Sequence, residues 1–475
     1  MYKIIITLLL AATMTSFAAN NNLPILGDST SGLISLDQEY RLGRVWLRNL
    51  RQQSTALHNP VLTDFTENLI YHLASNSQVA DRRLEIIIID SKELNAFAVP
   101  GGVIGINAGL FLHAKTEAQF AAVLAHELAH LSQRHFARRV EEGRKRAPIA
   151  LATLLGSIML LATSNTEAGF AGLMTSQAAS TQMALNYSRD AEREADRLGL
   201  HTLVAAEINP KGMPEMFRQM FDSHKYSQRP PEFLLTHPVT ENRISDAAGR
   251  VDNLNIKGFK DSIDYQLMRT AIQVQYLSKS HNETYFKDQL SKQTLPFNKQ
   301  IAAYGLTLAL IEQKKFKQAL VQTKNLLAMD KTKISYLILQ QLVSFELGDT
   351  KIALTKLAQL IDINPNNHSL IMTYSKLLAK DSQFNLATMV LKKHSQVRSS
   401  DPSVWQRLTE YQSKTNNQVG MLQAYAEYLF LTGRKSQAVT QLKRALKISE
   451  GDFLTSARIE QRATEIENTN EDMNF

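Results

Sequence analysis

Apolar residues recur at spacings of three and four over residues 37–75, where Leu42, Val45, Trp46 and Leu50 are followed by Val61, Phe65, Leu69, Ile70 and Leu73. That period collects them on one side of a helix, so the stretch reads as helical. The texture then becomes β-branched: residues 84–89, then Asn95-Ala96-Phe97-Ala98-Val99, a break at Pro100-Gly101-Gly102, and Val103, Ile104 and Ile106. Two or three short strands are therefore expected between helices. Another helix is expected over roughly 116–138, entered by the apolar face of Phe120, Ala121, Val123 and Leu124.

Residues 148–163 are almost continuously apolar and run on through Gly, Ala, Ser and Thr to about 181. A span needs about 20 apolar residues, which this run does not reach. The segment is read as a buried or mobile hydrophobic hairpin, with peripheral membrane contact through 148–181 as the other option. From about Asn298 helical pairs repeat, with Ala319, Ala353 and Ala387 34 residues apart and Pro365 twelve residues after Ala353. Thirty-four is the tetratricopeptide period, and such pairs stack into a solenoid that usually binds a polypeptide. Ala438 lies 51 residues beyond Ala387, one and a half periods, so the register is irregular or a helix is inserted or lost between Trp405 and Tyr425.

A chain of 475 residues with 44% hydrophobic and 21% charged residues has material for two or three packed domains. Its +8 charge is modest, and no block of Lys and Arg marks a nucleic-acid arm. Cysteine is absent, which excludes disulfide scaffolds, thiolate metal sites and cysteine nucleophiles. Any metal must take nitrogen and oxygen ligands. At the N-terminus, Lys3, the apolar run 4–12 and the small-x-small site Ser16-Phe17-Ala18 form the pattern of a secretory signal peptide over 1–18. Export is expected, and in a bacterium with two membranes that means the periplasm.

His126-Glu127-Leu128-Ala129-His130 matches HExxH. Residues four apart on a helix share a face, so both imidazoles reach one Zn²⁺ while Glu127 points to the open position. Zinc makes water a nucleophile at neutral pH, and Glu127 takes its proton and hands it to the leaving amine. The expected reaction is peptide-bond hydrolysis. His135 does not supply the third ligand of the HExxHxxGxxH pattern, because it lies nine rather than ten residues after His126 and Gln133 stands where that pattern needs glycine. The better candidate is in Ser188-Arg189-Asp190-Ala191-Glu192-Arg193-Glu194-Ala195-Asp196, where Glu192 can coordinate zinc and Asp196, four residues on, can hydrogen-bond a ligand imidazole. Glu194 points elsewhere on such a helix.

With HExxH and a downstream ExxxD, the sequence resembles the zinc metalloprotease family that includes the membrane-bound prenyl-protein protease and the bacterial heat-shock protease. It is most similar to the periplasmic branch that joins such a catalytic domain to tetratricopeptide repeats. The resemblance implies one Zn²⁺ per chain held by His126, His130 and Glu192, with Glu127 as general base and Asp196 as an acidic partner sometimes assigned as proton donor. It also implies that residues 95–98 present a strand edge to an extended substrate. In Thr236-His237-Pro238, His237 either takes the fourth zinc position and keeps the enzyme latent or stabilises the oxyanion when displaced. Arg243 either orients the site or bridges helices.

The expected fold class is α+β: a mainly helical zincin-type metalloprotease domain with a small β-sheet over 19–265, a helical linker over 266–297, and an all-α tetratricopeptide-like solenoid over 298–475. Implied partners are unfolded or misassembled outer-membrane β-barrel proteins and the barrel-assembly machinery, with no nucleic acid. The implied function is their degradation and assistance to their assembly; the alternative is a predominantly non-proteolytic chaperone.

Overall fold

The computed structural model describes residues 34–142, 156, 159, 189–225, 231–254 and 258–470. The signal-peptide reading lies outside the described residues, as does the 148–181 segment apart from Gly156 and Met159. Met159 is buried in a cluster with Leu42, Trp46, Phe97 and Phe136. Among the described residues no helix is long and apolar enough to cross a membrane.

The periodic stretch 37–75 is helical as two helices, α1 (Leu36–Gln53) and α2 (Pro60–Ser75). A fresh start is built into Asn59-Pro60: Asn59 Oδ1 accepts from the N–H groups of Val61 and Leu62, and proline fits the first helical turn. The break is used by the sheet, since Ala56 bridges Ile89 in antiparallel fashion. The sheet comprises β1 (Glu85–Ile89), β2 (Ala96–Val99) and β3 (Val103–Asn107), in the order β1-β3-β2, with β1 parallel and β2 antiparallel to β3. Alternation along the strands divides their side chains between two cores. Ile87, Ile89, Phe97, Val99 and Val103 pack on α1, where Trp46 meets Phe97 edge-on at 5.6 Å. Ile88, Ala96, Ile104 and Ile106 face the other way, into the main core.

That main core surrounds α4 (Glu117–Ser132), which follows α3 (Ala108–His113) and is buried continuously from Gln119 to His130. Thr116 caps it by accepting from Gln119 N–H. The helix expected over 116–138 stops short, because Arg134 adopts φ 49° and α5 (His135–Glu142) begins on a new axis. A left-handed conformation is costly for arginine. Here the guanidinium is tied to the carbonyl of Ile34 and to Glu39 Oε1, 3.1 Å away.

Among the described residues the N-terminal half continues with α6 (Arg189–Ala205), α7 (Gly212–Lys225), α8 (Glu232–Thr236) and α9 (Glu241–Asp252). Next, α10 (Ile263–Tyr276) buries Tyr265 among Phe111 and Phe120, and α11 (Lys279–Lys292) packs along α12 (Pro296–Glu312). The solenoid continues through α13 (Phe316–Met329), α14 (Ile334–Glu346), α15 (Thr350–Ile363), α16 (His368–Lys380), α17 (Phe384–Val397), α18 (Pro402–Ser413), α19 (Gln418–Leu431), α20 (Lys435–Ile448) and α21 (Phe453–Glu467). It is tetratricopeptide-like. Ala319, Ala353 and Ala387 are fully buried at the same point of α13, α15 and α17. Lys314, Gly348, Ser382 and Asn416, at the same 34-residue spacing, each turn the chain with positive φ. The next such turn, Gly433, comes half a period later, so α19 both closes one pair and opens the next. This accounts for the displaced Ala438.

The solenoid is fastened to α2. Asp64 Oδ2 accepts from Ser369 N–H at 2.8 Å, and Arg398 reaches Glu67 at 2.6 Å and Asp64 at 3.4 Å. A cavity of about 890 Å³ lies beside this seam, lined by Arg51, His58, Ile86, His368 and Arg407 among others. His368 Nδ1 lies 3.0 Å from His394 Nε2, with Asp401 at 3.6 Å from the His368 ring and Arg398 nearby. Burial pushes the two imidazoles down to about 3 and about 4. They stay neutral in the folded chain at pH values where an unfolded chain, with histidine near 6.5, takes up protons. Their contribution to stability is therefore complete above about pH 6.5 and is lost as pH falls toward about 4. Thermal melts of His394→Gln should show a shallower loss of Tm across that window than the parent chain; an identical slope would mean that the pair is not held neutral.

Candidate functional site

Three segments far apart in sequence converge beneath β2. On α4, His126 and His130 share a face and Glu127 turns toward the sheet. The approach of α6 to that helix is close: a Cβ on Gly199 would lie 3.1 Å from the backbone nitrogen of His126. Glycine there lets α6 bring Glu192 and Asp196 up to the two imidazoles. The third segment is the end of α8, where the His237 N–H caps the helix by bonding Phe233 O at 2.9 Å.

Of the residues expected from sequence, His126, His130, Glu192 and His237 offer one donor atom each within 4.8 Å of one another, and all four are buried. His126 Nε2 lies 3.0 Å from His130 Nε2 and 3.4 Å from His237 Nδ1. Glu192 Oε1 lies 3.4 Å from His130 Nε2 and 2.9 Å from His237 Nδ1, and its Oε2 lies 3.6 Å from His126 Nε2. Ligands at about 2.0–2.1 Å around a tetrahedral cation stand about 3.3 Å apart, so the donors have the right separation for one divalent metal ion. Two imidazole nitrogens facing each other at 3.0 Å also make poor neighbours without a shared cation or proton. The residues fit a metal.

Glu127 touches both the strand and the cluster. Its Oε2 accepts from the N–H of Ala98 at 2.9 Å, while Oε1 is 3.4 Å from His237 Nε2. Among the described residues β2 is an edge strand, and Asn107 N–H bonds Asn95 O across the pair at 3.0 Å. In the alternating antiparallel pattern the N–H and C=O groups of Ala96 and Ala98 then point outward. The outward N–H of Ala98 thus meets the carboxylate of the candidate base.

Around these groups lies a set of positioning contacts. Asp196 Oδ1 is 3.0 Å from His126 Nδ1. Arg243, from α9, binds Asp196 twice at 2.7 Å, lies 2.7 Å from Glu192 Oε2, and reaches Pro238 O at 2.8 Å. Its guanidinium therefore both orients the site and bridges helices. His130 Nδ1 is 2.8 Å from His135 Nδ1, and His135 Nε2 is 3.0 Å from Glu194 Oε2. Sequence reasoning had no signal for this contact, because it depends on the turn at Arg134. Glu232 is a further buried group, bonded by Asn95 and Asn107, that ties the start of α8 to β2 and β3.

Burial raises the Glu127 carboxyl above its ordinary range, although His237 and His126 oppose the shift. Glu192 feels the same burial, but His237, His130 and Arg243 outweigh it and hold the carboxylate well below the usual range. For Asp196, the close contact with His126 and the hydrogen bonds from Arg243 likewise overcome burial. Burial keeps His130 neutral far below ordinary histidine values. At His237 burial is overcome by Glu192 and Glu127, which raise it. One carboxylate is thus made more basic and two are kept anionic, which is the division of labour a base and its supporting groups require.

Residues 63–251 match the family described as Peptidase family M48. The chain is 30% identical to the beta-barrel assembly-enhancing protease of Escherichia coli strain K12, covering 98% of this chain and 96% of that one. It is also 30% identical to the protein of the same name from Yersinia pestis, covering 97% and 95%. The mitochondrial metalloendopeptidase OMA1 of Schizosaccharomyces pombe is 28% identical over 182 residues, 38% of this chain and 51% of that one.

Removing one partner of a buried ion pair costs about 3–5 kcal/mol, because the remaining charge is stranded. Arg243→Met should therefore lower unfolding free energy by about that amount, measured by denaturant titration of the metal-free chain. A change below about 1 kcal/mol would mean that Asp196 and Glu192 do not depend on the guanidinium.

Proposed function

The chain belongs to peptidase family M48, and we propose that it is a periplasmic zinc endopeptidase that degrades misassembled outer-membrane β-barrel proteins and assists their assembly. The convergence of His126, His130 and Glu192 beside Glu127, at the outer edge of β2, carries this reading. His126, His130 and Glu192 would hold a single Zn²⁺. When bound, that ion supplies Lewis acidity, activating water and polarising a peptide carbonyl.

The chain's own residues do the rest. An extended substrate pairs with the outward N–H and C=O groups of β2, which places its scissile bond over the cluster. Glu127, made more basic by burial, takes the proton of the attacking water and returns it to the leaving amine. Asp196 fixes the ring of His126 through Nδ1; with both its oxygens engaged by Arg243, a positioning role is favoured over proton donation. His237, at 2.9 Å from Glu192 and 3.4 Å from Glu127, would take the fourth ligand position and so keep the enzyme latent. Latency suits a protease working among unfolded exported chains. The tetratricopeptide-like solenoid docks substrate or the barrel-assembly machinery.

The test is zinc content and cleavage of an unfolded β-barrel protein by the chain lacking residues 1–18. Glu127→Gln should keep one zinc and lose roughly 10²–10⁴-fold in rate. Glu192→Ala should lose zinc, and His237→Ala should cleave faster, by roughly fivefold or more. A parent chain that binds no zinc and cleaves nothing while suppressing substrate aggregation overturns the protease reading in favour of a chaperone.

A further inference from the structure

The two imidazoles on α4 are supported differently. His126 presents Nδ1 directly to a carboxylate, Asp196, at 3.0 Å. His130 presents Nδ1 to another imidazole, His135 Nδ1, at 2.8 Å, and the carboxylate stands one step further off, with Glu194 Oε2 at 3.0 Å from His135 Nε2 and Arg138 at 3.2 Å from that same oxygen. We propose that His135 and Glu194 form a relay that positions His130 as a metal ligand; the proposal rests on the metalloprotease reading and deepens it.

The tautomers follow from the geometry. A ring that offers Nε2 to a cation carries its hydrogen on Nδ1, so His130 Nδ1–H donates to His135 Nδ1. His135 then bears its hydrogen on Nε2 and donates it to Glu194. Each nitrogen in the chain has one role, and only this arrangement satisfies both short contacts with neutral rings. Three sequence features build it. The left-handed turn at Arg134, φ 49°, swings His135 back over the last turn of α4. Arg134 is held there by Glu39. Glu194, two residues from Glu192 on α6, points away from the metal-binding face and toward α5, so a single helix supplies both a ligand and the far end of the relay. His135 is buried, whereas Glu194 is about a third exposed, at 31% of its side chain, so the relay ends at solvent.

Groups hydrogen-bonded to a ligand imidazole typically change metal affinity by about 10–100-fold when removed. The experiment measures zinc affinity of the chain lacking residues 1–18 by competition with a chromophoric chelator. His135→Ala and His135→Gln should bind zinc about 10–100-fold more weakly. His135→Asn places an acceptor oxygen where Nδ1 stood and should recover most of the affinity. Glu194→Ala should weaken binding about tenfold with the melting temperature of the metal-free chain unchanged. Unchanged affinity in His135→Ala, or Asn as weak as Ala, overturns the relay and leaves His135 a packing residue. If His135→Ala does not fold, Glu194→Ala decides alone, since its partly exposed side chain is dispensable for packing. Failure of the parent chain to bind zinc is a different result and sinks the metalloprotease reading itself.

Discussion

Two carboxylates, Glu192 and Asp196, are buried four residues apart on one helix, and much of the surrounding structure exists to keep them charged there. A lone buried carboxylate takes up a proton instead of staying ionised. Arg243 prevents that by contacting both, with four polar contacts in all when Pro238 O is included. The guanidinium is planar and always charged, which lysine cannot match in this forked arrangement. Its guanidinium carbon lies 4.9 Å from the centroid of the Phe217 ring, so the charge is also covered from that side. Because α9 supplies Arg243 and α6 supplies the acids, the site is complete only once these helices are packed together.

The same economy governs the histidines. Four imidazoles, His126, His130, His135 and His237, sit within ring-centroid distances of 4.7–5.0 Å of a neighbour, and each has a different second contact. His126 leans on Asp196, His130 on His135, His135 on Glu194, and His237 on Glu192. Those contacts assign the tautomers and rotations of rings that would otherwise repel or turn. The site is preorganised by these polar contacts as much as by its backbone.

The sequence was most legible where chemistry follows local geometry. HExxH needs only helical periodicity to bring His126 and His130 together, and the ExxxD spacing needs only the same rule to align Glu192 with Asp196. The strands were visible because β-branched runs ended at Pro100-Gly101-Gly102, where both glycines take positive φ. What escaped depended on distant contacts. Arg134 reads as an ordinary helical arginine until Glu39 and Ile34 hold it in a left-handed turn, and with that turn hidden, His135 could only be judged as a metal ligand and rejected. Glu194 points off the face of Glu192, which is the direction its contact with His135 requires. The solenoid showed the same limit. Alanine spacing gave the 34-residue period, but the half-period step at Asn416 and Gly433 is fixed by turns whose residues, asparagine and glycine, are common in any loop.

A three-stranded sheet has two edges, and they meet different fates here. On β1, residues 55–57 fold back so that Leu57 N–H bonds Ile88 O at 2.8 Å and Asp90 N–H bonds Thr55 O at 2.9 Å, consuming that half of the edge inside the fold. The rest of β1 borders the seam with the solenoid, where Arg51 and Arg44 share Glu85. On β2 no strand closes the edge among the described residues, and its outward Ala98 N–H ends on Glu127. An unpaired edge ordinarily invites indiscriminate pairing. In this molecule the open edge is the one that lies over the buried Glu127, so any chain that pairs with it contends with that carboxylate for the same N–H. Edge pairing and the position of the Glu127 carboxylate are therefore coupled by a single backbone donor.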